Sequence, residues 1–414
     1  MNRQSEIEHR LTSRPVPEGF PPGVVLPDYA GFSIVGVPLV IERALAQSDV
    51  ETPLLEEIPA SSFDRVVLLV LDGFGYRALQ KLRRSGDIPV LDRLIDRGTL
   101  LPITSVFPST TVTALTSLVT GLTPGAHGMI GYRLYLREIS GITDMIRLEL
   151  VGAAKSTSAE EAGLDLDQLV PRPTFCERLT AQGISIHVLL PRAITRSGLS
   201  RVLYRGCTET HSMEGFADMC GRARQILQSS AGSALLTLYW PGLDSIAHIQ
   251  GPDTDAYRAE AMAVDAVLGH ELVGRADRTL LLITSDHGFV SMAPTDYMQL
   301  SALGDVADEL VRLPVGEPRA SYLHLKNGTR SHVEDVEVLR DGLIRLGRDR
   351  VLSSGLLGED ATHPEIVHRV GDVAIISTGA AGVYHPYPDA PRLRGMHGGL
   401  TEQEMLVPLI VAPL

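Results

Sequence analysis

The chain has 414 residues, of which 44% are hydrophobic and 21% charged, and its formal net charge is −13 at pH 7. This length and composition are those of a globular protein with a large core. The acidic balance argues against a nucleic-acid polymer or an anionic membrane surface as partner, because both bind through clustered positive charge. A small anionic substrate stays compatible with it, since a bound metal would dominate the local field.

The cysteines and the hydropathy pattern indicate a cellular location. Cys176, Cys207 and Cys220 are an odd number and widely spaced, which is typical of reduced thiols. Residues 1–20 lack the apolar core of a secretory signal. No stretch approaches the roughly 18 uninterrupted apolar residues of a membrane span. We therefore expect a soluble, cytoplasmic protein without a membrane span; the sequence gives no indication of its oligomeric state.

Short apolar runs alternate with helical patterns along most of the chain. Residues 1–62, rich in proline and glycine, are interpreted as an N-terminal arm, and residues 63–414 as one domain. The run RVVLLVL predicts a buried strand that ends at Asp72, and similar runs lie within 185–191, 233–244 and 279–288. Continuous rather than alternating apolar residues indicate strands covered on both faces, as in a parallel sheet.

The segments between these runs complete the fold prediction. Residues 175–183 and 255–273 carry helical patterns, and the alternation of strands and helices predicts an α/β sandwich with helices on both faces of a largely parallel sheet. Two stretches, near 132–173 and 291–391, interrupt this alternation. We expect them to be cap insertions over the functional site.

A cluster of hydroxyl groups precedes one predicted helix. In FPSTTVTALTSLVTGLTPGAHG, residues 107–128, Ser109, Thr110 and Thr111 are consecutive. Serine and threonine are common helix N-caps, because their oxygen accepts an unpaired backbone N–H. The other interpretation is a nucleophile at a helix N-terminus, where N–H groups favour a bound anion. The local sequence alone is compatible with both.

Metal-binding residue types follow several predicted strands. Each one alone is ordinary, since aspartate is common in turns and a single histidine is often structural. At the carboxyl ends of parallel strands they would lie together, where open α/β sheets bind ligands. Three aspartates and three histidines suit zinc, and a pair of such ions can hold the attacking and leaving oxygens of a phosphoryl transfer. Five of the six residues follow predicted strands, namely Asp72, Asp244, His248, Asp286 and His287, and the sixth, His397, lies just before the last predicted strand.

Together with the hydroxyl cluster, these candidate ligands make the sequence resemble the alkaline phosphatase superfamily, and within it the nucleotide pyrophosphatase/phosphodiesterase branch. The resemblance rests on LVLDGFG, PSTT followed by VTGLTPGAHG, DSIAHIQGP, TSDHG and MHGG, which occur in collinear order over roughly residues 64–410. DSIAHIQGP reproduces the family's Asp-x-x-x-His-x-x-Gly-Pro pattern without a gap. The resemblance implies an alkaline-phosphatase-like sandwich in which residues 63–414 are the catalytic domain.

The resemblance also implies how the candidate ligands divide between two divalent ions, zinc in the first place with manganese as the alternative. One ion would be bound by Asp72, Asp286, His287 and the oxygen of the nucleophile. The second ion would be bound by Asp244, His248 and His397. Complete ligand sets count against a protein that kept the fold and lost the chemistry.

The nucleophile is assigned by the family's spacing. It lies nine residues before the threonine of the TG pair, and counting back from Thr120 reaches Thr111. The resemblance therefore implies that Thr111 is the nucleophile and a metal ligand, and that Ser109 and Thr110 cap or position the turn.

Two positions depart from the branch. Val112 stands where the branch commonly has phenylalanine and the monoesterases have arginine. Tyr132 stands where the branch usually has an asparagine that binds the phosphoryl group. A tyrosine hydroxyl can donate to an anionic oxygen, so Tyr132 is a candidate substrate-binding residue, with a core aromatic as the other interpretation. His127 is interpreted as structural.

The resemblance implies a metal-dependent, type I phosphodiesterase-like hydrolase of phosphodiester or pyrophosphate bonds, acting on a small phosphorylated substrate through a phosphothreonine intermediate. A phosphomonoesterase of the same superfamily and a catalytically silent binding protein are the alternatives. A sulfatase is disfavoured because no cysteine lies in a Cys-x-Pro-x-Arg motif, and a phosphoglycerate mutase because its NSEVGH-like motif is absent. Nucleotides, phospholipid headgroups, phosphonates and cyclic dinucleotides all stay open as substrates.

Overall fold

The computed structural model describes residues 3–46, 50–59, 63–230, 232–326, 336–387 and 393–414. The helices are α1 (Arg3–Thr12), α2 (Val37–Ala46), α3 (Pro53–Glu56), α4 (Tyr76–Ser85), α5 (Pro89–Arg97), α6 (Thr111–Thr120), α7 (Pro124–His127), α8 (Phe175–Ala181), α9 (Gly198–Leu203), α10 (Phe216–Ser229), α11 (Gly242–Gln250), α12 (Asp255–Glu271), α13 (Asp305–Asp308), α14 (Arg348–Ser353), α15 (Ile366–Val370) and α16 (Glu402–Met405). The strands are β1 (Arg65–Leu71), β2 (Thr99–Thr104), β3 (Arg133–Leu136), β4 (Gly141–Asp144), β5 (Glu149–Leu150), β6 (Ser185–Pro191), β7 (Glu209–Met213), β8 (Ala234–Trp240), β9 (Thr279–Thr284), β10 (Val290–Ser291), β11 (Tyr297–Met298), β12 (Val315–Glu317), β13 (Ala320–Leu323), β14 (Glu337–Arg340), β15 (Leu343–Gly347), β16 (Val373–Ser377), β17 (Gly382–Val383), β18 (Gly395–Met396) and β19 (Leu406–Pro413).

The main sheet has seven strands in the order β2-β19-β9-β1-β8-β6-β7. The central strand β1 pairs in parallel with β8 and β9, and β6 and β7 continue in the same direction. All of β9 and all but the first residue of β1 are buried, as expected for strands covered on both faces. The predicted α/β fold, with a largely parallel central sheet surrounded by helices, is confirmed.

The antiparallel strand β19 was not predicted to run against the others. It lies between β2 and β9 and pairs antiparallel with both. Its apolar run resembles those of the parallel strands, because a central strand is covered on both faces whichever way it runs. Hydropathy therefore indicates its burial and not its direction.

A second sheet has eight antiparallel strands in the order β14-β15-β16-β13-β12-β3-β4-β5. Its strands come from 133–150 and 315–377, which fall within the two stretches predicted as cap insertions, and β12 joins them by pairing with β3. The sequence did not predict that these strands form one sheet. The boundaries of arm, domain and caps stay a prediction, and residues 1, 2, 47–49, 60–62, 231, 327–335 and 388–392 lie outside the described residues.

A buried ion pair connects the second sheet to the chain segment before β19. Arg319, between β12 and β13, and Glu404, on α16, are both fully buried. The Arg319 guanidinium donates to both carboxylate oxygens of Glu404, one of them over 2.7 Å, and to the carbonyl oxygens of Gly379 and Ala381. Such a bidentate, fully hydrogen-bonded pair fixes the relative placement of the two segments.

The segment before β1 packs on the main core. Ile7 and Leu11 of α1, Ile41 of α2 and Leu54 of α3 are buried in the same apolar cluster as the main sheet. Cys176, Cys207 and Cys220 are free thiols. Within the described parts of the chain, the helices are all too short or too polar to span a bilayer.

Candidate active site

Most of the predicted ligand residues follow three neighbouring strands of the main sheet. Asp72 directly follows β1. Asp244 and His248 lie on α11, which begins two residues after β8, and Asp286 and His287 follow β9. Because β8, β1 and β9 are adjacent and parallel, their carboxyl ends meet at one edge of the sheet, which is the ligand-binding edge of open α/β folds.

The remaining two predicted residues reach this edge from elsewhere in the chain. Thr111 is the first residue of α6, and its Oγ1 lies 3.2 Å from His287 Nε2. His397 follows β18, which pairs with β10, the short strand after His287. The imidazole rings of His397 and His287 stack with their centroids 3.6 Å apart. The structure thus brings together Thr111 and all six candidate ligands.

The hydroxyl cluster before α6 separates into three different environments. Thr110 occupies the N-cap position, but its side chain makes no capping hydrogen bond and instead donates to Glu317 Oε1 over 2.7 Å. The Ser109 hydroxyl donates to the Gly399 carbonyl and accepts from the N–H of Gly398. The two neighbours therefore position the turn rather than cap the helix, and the hydroxyl of Thr111 faces the cluster of ligands.

One group of ligand atoms forms around α11. Asp244 and His248 are four residues apart and share one helix face, with His248 Nε2 3.3 Å from Asp244 Oδ1. His397 Nε2 lies 3.2 Å from His248 Nε2 and 3.8 Å from Asp244 Oδ1. These spacings match those of atoms that share one metal ion.

A second group of ligand atoms forms around His287. Its Nε2 lies 3.4 Å from Asp72 Oδ1 and 3.4 Å from Asp286 Oδ2. Asp244 also comes within metal-sharing distance of Asp72 and His287. The carboxylate of Asp244 therefore lies between the two groups, whereas the resemblance placed it in one.

Hydrogen bonds to backbone carbonyls fix the tautomer of all three histidines. The Nδ1 atoms of His248, His287 and His397 lie 2.9, 3.1 and 3.1 Å from the carbonyl oxygens of Gly395, Gly288 and Ser109, respectively. A carbonyl oxygen only accepts, so each Nδ1 carries the proton. Each Nε2 therefore presents its lone pair to the cluster, the arrangement found in metal-binding histidines.

Three carboxylate oxygens in the same place have no hydrogen-bond partner within the described residues. They are Asp72 Oδ1, Asp244 Oδ1 and Asp286 Oδ2, and each is buried. A buried anionic oxygen without a partner is costly, and a metal ion is one of the few groups that can compensate it. The donor set therefore fits the divalent ions implied by the sequence.

The pKa shifts at the site reflect the same crowding of buried carboxylate and imidazole groups. Burial, followed by the two neighbouring carboxylates, raises the pKa of Asp72 well above its ordinary value. Burial, followed by the other two site histidines, lowers the pKa of His397 well below its ordinary value. Burial alone would raise the pKa of Asp244, but His248 outweighs it and lowers that pKa, while Asp244 in turn raises the pKa of His248.

Several supporting residues carried no signal in the sequence. Tyr239, on β8, donates a short hydrogen bond to Asp72 Oδ2. The ring of Phe289 packs edge-on against the three histidine rings, with centroid distances of 4.9 to 5.5 Å. Phe289 directly follows the DHG motif, yet an apolar residue there is indistinguishable from any core residue.

Glu317 is the most prominent residue that sequence reasoning missed. It comes from β12 of the second sheet, and its Oε1 accepts from the Thr110 hydroxyl and from the N–H of Tyr132, both over 2.7 Å. Burial raises its pKa to about 7, against the lowering effect of these hydrogen bonds. Glutamate in a stretch without a motif carries no signal, so only the contact of β12 with the turn before α6 reveals it.

A cavity of about 530 Å³ opens above the cluster. Its walls combine the ligand-bearing edge of the main sheet with the second sheet, and include Thr111, Val112, Arg133, Arg147 and Glu317. The guanidinium of Arg133 lies over the Tyr387 ring, 4.1 Å from its centroid. The cavity thus has one apolar wall beside Thr111 and two arginines on the side of the second sheet.

Tyr132 lines this cavity, but its hydroxyl proton is already engaged. The hydroxyl donates to Asp144 Oδ2 over 2.6 Å. Burial and that carboxylate raise the pKa of Tyr132 well above its ordinary value. Its predicted contact with a phosphoryl group stays a prediction. His127 is fully buried, hydrogen-bonded to Ser117 and to the N–H of Met129, in keeping with a structural role.

Comparison with known proteins gives a consistent result. The model of the type I phosphodiesterase / nucleotide pyrophosphatase family matches residues 66–400. An inactive variant of murine ectonucleotide pyrophosphatase/phosphodiesterase 5 in complex with AMP is 16% identical, with a TM-score of 0.63 over 84% of this chain and 88% of that one. The human enzyme of the same name is 18% identical, with a TM-score of 0.63 over 84% and 87% of the two chains. Phosphonoacetate hydrolase from Sinorhizobium meliloti 1021, in complex with phosphonoformate, is 19% identical, with a TM-score of 0.60 over 86% and 92%.

Proposed function

The chain belongs to the type I phosphodiesterase / nucleotide pyrophosphatase family and is a phosphodiesterase- or pyrophosphatase-type hydrolase, and we propose that it acts through a phosphothreonine intermediate formed on Thr111. The observation that carries this proposal is the position of the Thr111 hydroxyl, 3.2 Å from His287 Nε2 and at the edge of six convergent ligand side chains. At this position the Thr111 oxygen can contact the ligand cluster and still face the phosphorus atom of a bound substrate.

We propose that Asp72, Asp286, His287 and Thr111 bind one divalent ion, and that Asp244, His248 and His397 bind the other. The family depends on divalent metals, and zinc is the ion we propose, because imidazole and carboxylate are its common ligands. When bound, the ions would neutralise the crowded carboxylates, favour ionisation of the Thr111 hydroxyl and stabilise charge on the attacking and leaving oxygens.

The chain's own residues supply the nucleophile and hold it in position. Thr111 Oγ1 gives up its proton and forms a bond to phosphorus while the bond from phosphorus to the leaving oxygen breaks, and that oxygen takes up a proton. Water then attacks phosphorus, the bond to Thr111 breaks, and the threonine hydroxyl is restored. Thr110, Ser109 and Glu317 hold the turn so that Thr111 keeps its orientation through both displacements.

The cavity favours a phosphoryl group that carries a second substituent. Val112 places an apolar wall beside the nucleophile, where a second ester arm can lie. The AMP and phosphonoformate complexes of the similar structures make nucleotide esters and phosphonates the first substrates to test here. A phosphomonoesterase is the second candidate, and Arg133 and Arg147 favour it, because added positive charge suits a dianionic monoester.

A trapping experiment tests the intermediate. Zinc-loaded enzyme is mixed with a nitrophenyl diester, quenched in acid within the first turnover, digested and analysed by mass spectrometry. We expect the added phosphoryl group on the peptide that contains Thr111, and none on the same peptide of Thr111→Ala. A quenched enzyme without phosphothreonine, although nitrophenol has been released in a burst, would contradict the proposal.

A further inference from the structure

Three side chains with metal-binding atoms meet at the outer edge of the main sheet, away from the residues assigned above. β7 is the outer strand and pairs in parallel with β6. His187 on β6 lies opposite Glu209 on β7, and His211 follows Glu209 by two residues. Because side chains alternate along a strand, Glu209 and His211 lie on one face of β7.

The three side chains approach one another closely. His187 Nδ1 lies 3.2 Å from His211 Nε2, and the two rings stack with centroids 5.4 Å apart. Glu209 Oε2 lies 3.9 Å from His187 Nδ1 and 3.6 Å from His211 Nε2. A triangle with these sides has a centre about 2.1 Å from each corner, and zinc binds imidazole nitrogen and carboxylate oxygen at roughly 2.0–2.2 Å.

We propose that His187, Glu209 and His211 bind a divalent transition-metal ion, with zinc as the best match, at a site separate from the active site. Two imidazoles and one carboxylate form a common zinc ligand set, and the fourth position would be left to water. The three ligand atoms already surround a point at bonding distance from all of them.

A hydrogen bond between the two histidines is the simpler explanation of their contact, but it does not explain the third group. The Glu209 oxygen lies beyond hydrogen-bond distance of either nitrogen, yet at metal-sharing distance from both. Burial, as the main cause, lowers the pKa of both histidines. Glu209 opposes this lowering, and a metal ion binds the neutral form of imidazole.

Charge and exposure around the site set the conditions for binding. Arg222, on α10, also lowers the pKa of both histidines and opposes a bound cation. The histidine side chains are 15% and 5% exposed, whereas that of Glu209 is 56% exposed. An ion can thus enter from the solvent side and be held by two covered rings. It would join the outer strand to its neighbour, at an edge beyond which no other described strand pairs.

Metal counting tests this site. Full-length wild-type protein, His187→Gln/His211→Gln, Glu209→Gln and the control His270→Gln are dialysed against one zinc buffer of fixed free concentration, and bound zinc is measured by mass spectrometry. His270 pairs with Glu271 on the exposed surface and has an 80% exposed side chain, so it matches the residue types without the second histidine. We expect the double variant to bind one zinc per chain fewer than the wild type and the control, and Glu209→Gln to bind that ion at least tenfold more weakly.

Equal zinc in all four proteins would overturn the proposal. Unchanged kcat/KM on a diester shows that the variants are folded, since none of their substitutions lies in the active site.

A second readout is the Tm at low and at saturating free zinc. We expect a larger rise for the wild type than for the double variant. A Tm deficit of equal size in EDTA and in zinc would assign the histidine pair to a hydrogen bond alone and overturn the metal site, whatever the outcome of the phosphothreonine experiment.

Discussion

The hydroxyl of Thr110 donates to Glu317 Oε1 over 2.7 Å, so that the side chain preceding the proposed nucleophile is held by the second sheet and does not cap its own helix. The neighbouring Thr111 is thereby left with its hydroxyl directed at His287. The strands of the second sheet therefore hold the turn that presents the proposed nucleophile.

The first prediction separates the three hydroxyls. Thr111→Ala should lower kcat/KM by on the order of 10³-fold or more, because the attacking atom is removed. Thr110→Ala removes the hydrogen bond to the Glu317 carboxyl group, and Ser109→Ala removes the bonds to Gly398 and Gly399. Neither change removes the attacking atom, so each should cost less than roughly tenfold. The measurement is steady-state hydrolysis of one diester by zinc-loaded variants. An inactive Thr110→Ala beside an active Thr111→Ala would show that the nucleophile is one residue earlier.

The second prediction concerns metal removal. Protein stripped with EDTA should lose its activity, and about two equivalents of zinc should restore it. The titration is cleanest in His187→Gln/His211→Gln, which lacks the additional site proposed at β7. His248→Ala should reduce the stoichiometry in this background to about one, because Asp244 and His397 alone offer only two ligands. Full activity of the stripped protein, with metal verified as absent, would refute metal dependence.

The third prediction is a preference for diesters over monoesters. A monoester dianion carries more charge than a diester, and an enzyme adapted to it supplies extra positive groups at the phosphoryl oxygens. Val112 beside the nucleophile supplies none, so we expect kcat/KM for a nitrophenyl diester to exceed that for the matched monoester by about tenfold or more.

Arg133 provides the internal control for that comparison. If it serves a monoester, Arg133→Met should lower monoester activity selectively; under our assignment both substrates are affected alike. A clear monoester preference of the wild type would move the protein to the phosphatase branch.

The fourth prediction is a pH-dependent loss of stability at His324. Burial, as the main cause, lowers its pKa to about 4. Its Nε2 donates to the carbonyl of His368, and its Nδ1 is buried without a partner in the described residues, so a second proton would have no acceptor. The unfolded chain takes up that proton near pH 6.5. The stabilising contribution is therefore complete above about pH 6.5 and is lost as the pH falls through about 4.

Urea unfolding in EDTA, at several values between pH 7 and pH 4, measures this effect. Relative to His324→Gln, the wild type should lose about 2–3 kcal/mol of unfolding free energy over that range. Other buried histidines contribute to both proteins, so the difference between the two curves isolates His324. Curves that stay parallel over the whole range would show that His324 does not titrate between the folded and unfolded states as proposed.

The sequence predicted the main sheet well, for a physical reason. Strands such as β1 and β9 are buried on both faces and consist of uninterrupted apolar residues, and the ligands follow them directly, so strand and site residue share one local signal. Asp72, Asp244, His248, Asp286 and His287 carry that signal, whereas His397 lies before the last predicted strand and Thr111 is assigned by the spacing of the family motif.

What the sequence did not predict depends on contacts between distant segments. Glu317 reaches the nucleophile turn only because β12 pairs with β3, a contact across more than 180 residues. Arg319 and Glu404 form a fully buried pair, although both types are usually exposed and neither position is marked by a motif. Strand direction in β19 and the shared position of Asp244 are likewise properties of the assembled fold.

The place of β19 between β2 and β9 has a consequence for the order of events during synthesis. β2 leads into the helix that begins with Thr111, and β9 leads into His287, and the two strands are joined only through β19. β19 is the last of the described strands to leave the ribosome, so Thr111 and His287 have no sheet contact to bring them together until it has been made. All the ligands but His397 precede β19 by more than 100 residues, and His397 precedes it by nine. The sheet that joins the two sides of the site is therefore completed only when the last described strand has been made.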